Sequence, residues 1–488
     1  MQVKENTTEQ MHMNLESSGK KALKAGIGYT LGNYLLKGLS FLTLPLFTRL
    51  LTTSDYGRFS VFLSYEAVLS IILGLAIHSS YKNAKLKYKG AKYNDYIASS
   101  IFLIIINTLL IFIIVNVFAV PLSNFLELNR VSINILVLYS YAGAILACFN
   151  SYIVLEYRYK SYLFISALNA LGNIILSVLL IVFVFDHNRY YGRLIGNFLP
   201  LFIISIVLTI LLLKNGSIKN VKSYWKWGIF YSLPIIPHGL SQIILSQFDR
   251  IMILKMIGSR EAGIYSFSYI CFSLVAVTTS SLDGAWTPWF YEQMEKRNFE
   301  TIKKKSSIYM LFMFMFFSTV ILICPEIIKI AGSSEYWEAV YCVIPLVAGG
   351  FFSFLYNFPA GVEYYHEKTK FIMVGTLCAA LINIVLNYIF ISHNGYIAAA
   401  YTTLTTYILY FLFHYGLAKK IQGSSLFSSK LILVLALGVL CISFISFFFL
   451  SKAFIRWLLA LLEIGAFIFI EEMKLGYIYA RVKKFRRK

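Results

Sequence analysis

Six of the ionisable side chains inside the long apolar runs of this chain are candidate functional positions, because charge is costly there. They are Lys37, Glu66, His238, Asp249, Arg250 and Asp283. The carboxylates and the imidazole are coupling candidates, because such groups can hold an ion or pass a proton. A base at membrane depth can instead meet an anion, since opposite charges attract strongly in a low dielectric.

Lys37 lies in the middle of the first predicted helix and shares a helical face with Asn33 and other small polar residues, at the usual spacing of three to four. Such a polar stripe requires water or a partner rather than lipid. Two interpretations stay open. Lys37 pairs with Glu66 on the next predicted helix, or it is free to meet an anion.

The seventh predicted helix is the most irregular, because Pro234 and Pro237 interrupt its hydrogen bonds. Such breaks are tolerated at membrane depth where the backbone lines a cavity. Asp249 and Arg250 are adjacent and so point about 100° apart on a helix. One could face a cavity while the other holds a neighbouring helix. His238 is either a proton relay or a hydrogen-bonded packing residue.

Two further acids have alternative interpretations. Asp283 is either a coupling-ion carboxylate or a cap at a helix end near the membrane interface. Glu363 and His366 precede Lys368 at the predicted cytoplasmic mouth of two helices. They form a solvated loop, or they meet a pyrophosphate headgroup.

The composition is that of a membrane protein with many spans, because 58% of the residues are apolar and only 14% are charged. Runs of about 20 apolar residues cross a bilayer. We predict an all-α protein with about fourteen spans. They lie near 25–50, 56–80, 96–120, 130–155, 161–185, 190–213, 229–257, 262–290, 306–330, 337–361, 369–391, 395–418, 430–450 and 453–472.

The net charge of +21 comes mainly from bases between the spans. Most of them fall on one side when the N-terminus is cytoplasmic, as in the clusters 82–92, 214–226, 296–305 and 474–488. This bias follows the positive-inside rule. It predicts cytoplasmic termini and contact with anionic lipids, and it argues against nucleic acid as a partner.

The chain carries an internal repeat. Arg49-Leu-Leu-Thr-Thr-Ser-Asp-Tyr-Gly-Arg-Phe-Ser60 resembles Lys255-Met-Ile-Gly-Ser-Arg-Glu-Ala-Gly-Ile-Tyr-Ser266, and Asn173 recurs as Asn383 in the fifth helix of each half. A duplicated membrane protein is usually a transporter. We predict a cytoplasmic segment 1–24, bundles of six helices at 25–213 and 229–418, a linker 214–228, two added helices at 430–472 and a basic tail 473–488.

Several enzyme features are absent from the sequence. It has no Gly-x4-Gly-Lys-Ser/Thr phosphate loop, no nucleotide-binding domain and no long outer loop. We therefore expect no enzyme activity, no cofactor and no metal centre, and energy that comes from an ion gradient or from consumption of the product.

Three segments carry a family resemblance. Residues 44–57, 249–266 and 394–402 make the chain similar to the polysaccharide or O-antigen flippases (Wzx-like) of the multidrug/oligosaccharidyl-lipid/polysaccharide (MOP) exporter superfamily, which includes MATE transporters and lipid II flippases. The resemblance covers essentially residues 20–450. It implies two bundles of six helices in a V around a central cavity that opens alternately to each side, with two C-terminal helices added.

The resemblance also implies a function. Its substrate is a glycan on polyprenyl pyrophosphate, moved from the cytoplasmic to the outer leaflet of a bacterial inner membrane, with H⁺ or Na⁺ as the coupling ion and other polysaccharide assembly proteins as partners. Cationic cavity residues of this family are associated with anionic substrate groups. Lys37 and Arg250 best fit that role here, with Asn33 beside them.

Three other functions compete with this interpretation. A MATE-type drug exporter should prefer an acidic cavity, which the two bases disfavour. A membrane glycan polymerase or ligase is disfavoured by the short outer loops and the duplication. A scaffold in a glycan-assembly complex stays open.

Overall fold

A computed structural model describes residues 28–29, 32, 35–36, 38–39, 41–423 and 426–468. The predicted sites Lys37 and Asn33, much of the first predicted span, the end of the last span and the basic tail lie outside the described residues. Within the described residues the chain is helical and contains no strand. This agrees with the predicted all-α class.

Sixteen α-helices with named bounds follow one another along the described chain. They are α1 Leu44–Leu50, α2 Thr53–Gly74, α3 Tyr81–Lys87, α4 Ala91–Val117, α5 Ala119–Leu126, α6 Arg130–Leu155, α7 Tyr159–Phe183, α8 Arg189–Lys214, α9 Val221–Ser232, α10 Ile235–Met256, α11 Ser259–Glu295, α12 Phe299–Ala331, α13 Val340–Tyr365, α14 Thr369–Asn394, α15 Ala398–Gln422 and α16 Ser429–Phe448. Short 3₁₀ turns cover Ile77–Ser80 and Ser334–Ala339, and a last helix covers 453–468.

Ten helices of the described chain are long and apolar enough to cross a membrane, and the pair α9 and α10 would make an eleventh. Fewer spans are found than the fourteen predicted for two reasons. The first and last predicted spans are only partly described. The span predicted at 395–418 is the helix α15, which has the length of a span but carries Thr402, Thr403, Thr405 and Thr406.

The break predicted from the prolines is confirmed. The helix α9 ends at Ser232, α10 begins at Ile235, and the two helices meet at an angle of 47°. Pro234 lies between them, where its ring removes a backbone donor and clashes with the preceding turn. The single span expected at 229–257 is therefore two helices.

The helix α9 packs on the helices before it in the chain. Trp225 Nε1 donates a hydrogen bond of 2.7 Å to the carbonyl of Ser99 in α4. The rings of Tyr224 and Trp227 lie against Tyr96, with centroids 5.9 and 5.3 Å apart. Part of the expected linker 214–228 is therefore an ordered aromatic contact.

The chain packs into two compact units, Met1–Phe248 and Asp249–Lys488. The division falls inside α10, between Phe248 and Asp249, and not at the expected linker. In the second unit, clustered aromatic rings form much of the core, as in the contacts of Phe351 with Phe317 and Phe354. The two bundles of six helices stay a prediction.

One buried arginine, Arg456, links the helices after residue 429 to α12. Arg456 donates hydrogen bonds of 2.8 and 2.6 Å to the two carboxylate oxygens of Glu326 in α12. It also donates to the carbonyls of Leu322, Phe449 and Leu450. This one side chain therefore connects α12, the end of α16 and the last helix.

Candidate ion and substrate sites

Asp249 is the centre of a buried polar network in the second unit. Its side chain is 1% exposed and accepts three hydrogen bonds. The donors are Tyr265 Oη at 2.5 Å, Asn387 Nδ2 at 2.6 Å and Thr403 Oγ1 at 2.9 Å, from α11, α14 and α15. A buried carboxylate needs such partners, because an unpaired charge in a low dielectric is costly.

Further polar side chains form hydrogen bonds with one of these donors, Asn387. Asn383 lies one turn before Asn387 on α14, and its Oδ1 accepts a bond of 3.1 Å from Asn387 Nδ2. Thr402 Oγ1 donates to Asn387 Oδ1 and also contacts the carbonyl of Ala399. The result is an oxygen-rich cluster with one acid, built from four helices.

Arg250 points to a different neighbour from that of Asp249. Its guanidinium carbon lies 4.6 Å from the centroid of the Tyr269 ring, in cation–π geometry. The side chain is 9% exposed. Asp249 and Arg250 therefore have different closest contacts, as their adjacent positions on α10 predicted, although the two charges also interact electrostatically.

Asp283 does not end a helix, so its interpretation as a cap was wrong. The helix α11 continues to Glu295, and Asp283 contacts two other helices. Tyr309 of α12 donates to its Oδ1 at 3.4 Å, and Asn357 of α13 donates to its Oδ2. The helix α11 is longer than the predicted span 262–290. The Asp283 carboxylate therefore lies within the helix, among side chains of its neighbours, and not at a helix terminus.

Two coupling candidates lie in the first unit. Glu66 on α2 faces Gly143 on α6, where an added Cβ would lie 2.6 Å from Glu66 Oε1. The absence of a side chain at Gly143 therefore makes room for this carboxylate. His238 is half-buried in the first turn of α10. The predicted pairing of Glu66 with Lys37 stays a prediction, since Lys37 is outside the described residues.

Sequence reasoning missed Arg193, on α8 of the first unit. Its Nη1 donates to Asn173 Oδ1 at 2.6 Å and to Ser177 Oγ at 2.9 Å, both on α7. Its guanidinium carbon lies 3.7 Å from the centroid of the Phe47 ring and 4.8 Å from that of Phe59. Sequence reasoning did not single out Arg193 because it lies close to the start of the predicted span 190–213. Its distance of 20 residues from Asn173, matching Thr403 and Asn383, could have found it.

Glu363 was also placed wrongly. It is fully buried near the end of α13, not in a solvated loop, and its Oε1 lies 2.7 Å from His414 Nδ1 of α15. His366 is three residues further on and contacts Gln422 at 2.8 Å. The helix α13 extends beyond the predicted span 337–361, so Glu363 is buried in its last turn.

No group of three or more His, Cys, Asp or Glu side chains that could hold a metal ion occurs among the described residues. The Asp249 network differs from such a centre, since one carboxylate is surrounded by two hydroxyls and an amide N–H, with the amide oxygens of Asn383 and Asn387 one contact further away. Oxygen ligands of this kind suit hard cations. The single carboxylate of Asp249 supplies one negative charge, which can compensate one monovalent cation.

The fold is that of known transporters. The structure is similar to "Lipid II flippase MurJ, inward closed conformation", with a TM-score of 0.65, 16% identity, and coverage of 92% of this chain and 99% of that chain. It is also similar to an inward-facing multidrug resistance MATE family transporter of the MOP superfamily, with a TM-score of 0.61, 12% identity, and coverage of 80% and 96%. The class is thus a membrane protein with many spans and the MOP fold.

Residues 22–294 match the family model "Polysaccharide biosynthesis protein", and the chain belongs to this family. A relative in Methanocaldococcus jannaschii, described as an uncharacterized membrane protein, is 22% identical over 461 residues, covering 86% of this chain and 88% of the relative. The proteins of similar fold are a flippase and transporters rather than catalytic enzymes, which agrees with the expectation of no enzyme activity.

Proposed function

We propose that this protein moves a polyprenyl-pyrophosphate-linked oligosaccharide from the cytoplasmic to the outer leaflet of a bacterial inner membrane, for cell-surface polysaccharide synthesis. The observation that carries this proposal is the match to the polysaccharide biosynthesis family on a chain with the MOP fold. Pyrophosphate and sugars lose water at high cost in hydrocarbon, so unaided crossing is slow.

The proposed orientation has both termini in the cytoplasm. Its support is the clustering of bases between the spans predicted from the sequence, as at Lys82–Lys92 and Lys296–Lys305. The same basic segments would contact anionic lipid headgroups on that side. Other polysaccharide assembly proteins are proposed partners, since the product must be used after it has crossed.

Asp249 is the proposed coupling residue. Its carboxylate is buried, and its three hydrogen bonds come from neutral groups on three other helices. A proton or Na⁺ that binds there would neutralise the charge and reorient the amide and hydroxyl groups. Because the ligands come from α10, α11, α14 and α15, ion binding would change how these helices pack. Asp283, Glu66 and His238 are secondary candidates.

Arg250 is the proposed anion-binding residue, together with Lys37 and Asn33. Its guanidinium stacks on Tyr269 and is largely withdrawn from water. The substrate pyrophosphate would compete for this base by its charge, since a phosphate accepts bidentate bonds from arginine.

The test is transport of labelled lipid-linked glycan in proteoliposomes, with an impermeant probe of sugar exposure, under imposed H⁺ or Na⁺ gradients. We expect Asp249→Asn to abolish gradient-driven movement, because an amide cannot be neutralised by a cation. The control is Ser392→Ala, an exposed residue of α14 whose hydroxyl donates to carbonyls of its own helix.

Two outcomes would contradict the proposal. Gradient-driven flipping that is normal in Asp249→Asn would exclude this residue as the coupling site. Export of an organic cation with no movement of glycan would favour a MATE-type exporter, which the fold similarity also permits.

A further inference from the structure

The two clusters around Asp249 and Arg193 occupy equivalent positions of the internal repeat. Asn383, Asn387 and Thr403 are each 210 residues after Asn173, Ser177 and Arg193. The segments around them also share identical residues, since Ile174, Leu176, Tyr191 and Leu194 recur as Ile384, Leu386, Tyr401 and Leu404. The equivalence therefore extends beyond the clusters themselves.

The earlier helices of each half show the same correspondence, at the offset of 206 residues that relates Arg49–Ser60 to Lys255–Ser266. Tyr265 is 206 residues after Phe59, and Asp249 is 206 residues after Thr43. Phe59 contacts the Arg193 guanidinium, whereas Tyr265 donates to Asp249. Equivalent positions thus contribute to both clusters.

Thr43 directly precedes α1 and lies on the helical face of Phe47. It precedes Phe47 by one turn, and the Phe47 backbone N–H donates to the Thr43 carbonyl at 3.1 Å. Residues four apart share a helical face. The Phe47 ring is 3.7 Å from the guanidinium carbon, so a carboxylate at position 43 would be one turn from this contact.

The same scaffold carries opposite charges in the two units. In the second unit, a carboxylate at position 249 receives neutral donors. In the first unit, position 43 is a neutral threonine, and the guanidinium of Arg193 donates to an amide oxygen and a hydroxyl. The Asp249 carboxylate and its three donors carry a charge of −1 without a bound cation, and the neighbouring Arg250 guanidinium lies on the Tyr269 ring. The Arg193 group carries a fixed charge of +1.

We propose that Arg193 is a tethered cation that permanently fills, in the first unit, the place that an exchangeable cation enters at Asp249 in the second. The chain therefore couples one cation to each transport cycle and not two. This inference rests on the proposed coupling role of Asp249 and adds its stoichiometry.

The first unit carries a covalently attached cation rather than a free one because position 43 has no acid. Neutral oxygens alone hold a free cation weakly, because they do not offset its dehydration. A covalently attached guanidinium pays no entropy of association, and the rings of Phe47 and Phe59 stabilise its charge. It can thus stay in a cluster that a free ion would leave.

The first experiment measures ion-dependent stabilisation of the purified protein in detergent, as the shift in unfolding temperature with NaCl at constant ionic strength and with pH. Choline chloride is the balancing salt. We expect a single saturable shift in the native protein and none in Asp249→Asn. If the native protein shows no shift that depends on Asp249, the coupling proposal fails, and this inference fails with it.

The inference itself is tested by Thr403→Arg, which places a guanidinium at the position equivalent to Arg193. We expect the variant to lose the ion-dependent shift while keeping a high unfolding temperature, because the tethered charge pairs with Asp249. Thr403→Gln is the control of similar length without charge. An ion response in Thr403→Arg equal to that in Thr403→Gln would overturn the inference, whereas Asp249 would keep its coupling role.

The reverse exchange, Thr43→Asp with Arg193→Thr, provides an independent test. We expect the number of bound ions per chain, measured with ²²Na⁺ or by proton uptake, to rise from one to two. Thr43→Asn with Arg193→Thr is the matched variant without the carboxylate and should stay at one. A double variant that folds and still binds one ion would overturn the inference. If it does not fold, Thr403→Arg decides alone.

Discussion

Two pairs of acid and base in the second unit, one fully buried and one whose acid is 26% exposed, differ in how completely their polar atoms are bonded. Arg456 and Glu326 share two hydrogen bonds, and the remaining guanidinium donors reach backbone carbonyls. Glu363 and His414 share one contact of 2.7 Å. Among the described residues, Glu363 Oε2 and His414 Nε2 have no hydrogen-bond partner.

The difference indicates that the Arg456–Glu326 pair is a structural anchor, whereas the Glu363–His414 pair tolerates substitution. A fully bonded pair loses several contacts when either member is removed, and it leaves a buried charge. A pair with one shared contact has fewer hydrogen bonds to lose. Aromatic rings of Tyr356 and Tyr410 enclose His414, with centroids 4.9 and 4.7 Å from it, so packing as well as the contact with Glu363 holds the imidazole.

The largest effect is expected from Arg456→Ala. Removing the guanidinium leaves Glu326 and three carbonyls without their donor, so we expect a loss of about 3–5 kcal/mol in the free energy of unfolding. Denaturant unfolding in detergent measures it. Arg456→Lys should lose less, because it keeps the charge but not the bidentate geometry. Equal stability of Arg456→Ala and the native protein would show that the anchor is not needed.

An intermediate effect is expected from Gly375→Ala. An added Cβ would collide with His414 Nε2, so the ring must leave its aromatic enclosure, at a cost of about 1–3 kcal/mol. Gly416→Ala is the matched control, since nothing lies within 4 Å of a Cβ there. It should be neutral or slightly stabilising, because alanine favours a helix. If both variants lost equal stability, the contact with His414 would not be the cause.

The smallest effect is expected from Glu363→Gln. The amide oxygen can still accept the bond to His414, so we expect a loss of about 1 kcal/mol. Glu326→Gln is the matched change in the other pair and should cost more, since the charge-assisted bidentate geometry is lost. Thermal unfolding of the two variants side by side measures the difference. A larger loss at Glu363 would reverse the comparison.

Local patterns were sufficient for the class of this protein. Apolar runs predicted the helices, because a bilayer requires backbone groups to bond within each segment. Pro234 predicted the break before α10 for an equally local reason, its missing donor. The repeat was visible because equivalent residues recur at constant offsets, as Asn173 and Asn383 do.

The limits of local reasoning are visible at three acids. A helix-end cap was one alternative for Asp283 and a solvated loop was one alternative for Glu363, and both were wrong, because each acid lies within a helix. Asp249 was singled out correctly as a buried acid, but its donors could not be named. Tyr265, Asn387 and Thr403 are up to 154 residues away along the chain, and only the packing of helices brings them together.

The sequence by itself therefore determined the membrane class, the duplication and the positions where buried charge needs an explanation, since each depends on residues close in the chain. Only the tertiary structure decided which atoms satisfy each charge. It places three neutral donors around Asp249, and rings and two acceptors around Arg193, at equivalent positions of the repeat. The physical reason is that solvation of a buried charge depends on groups that are near in space, wherever they lie in the chain.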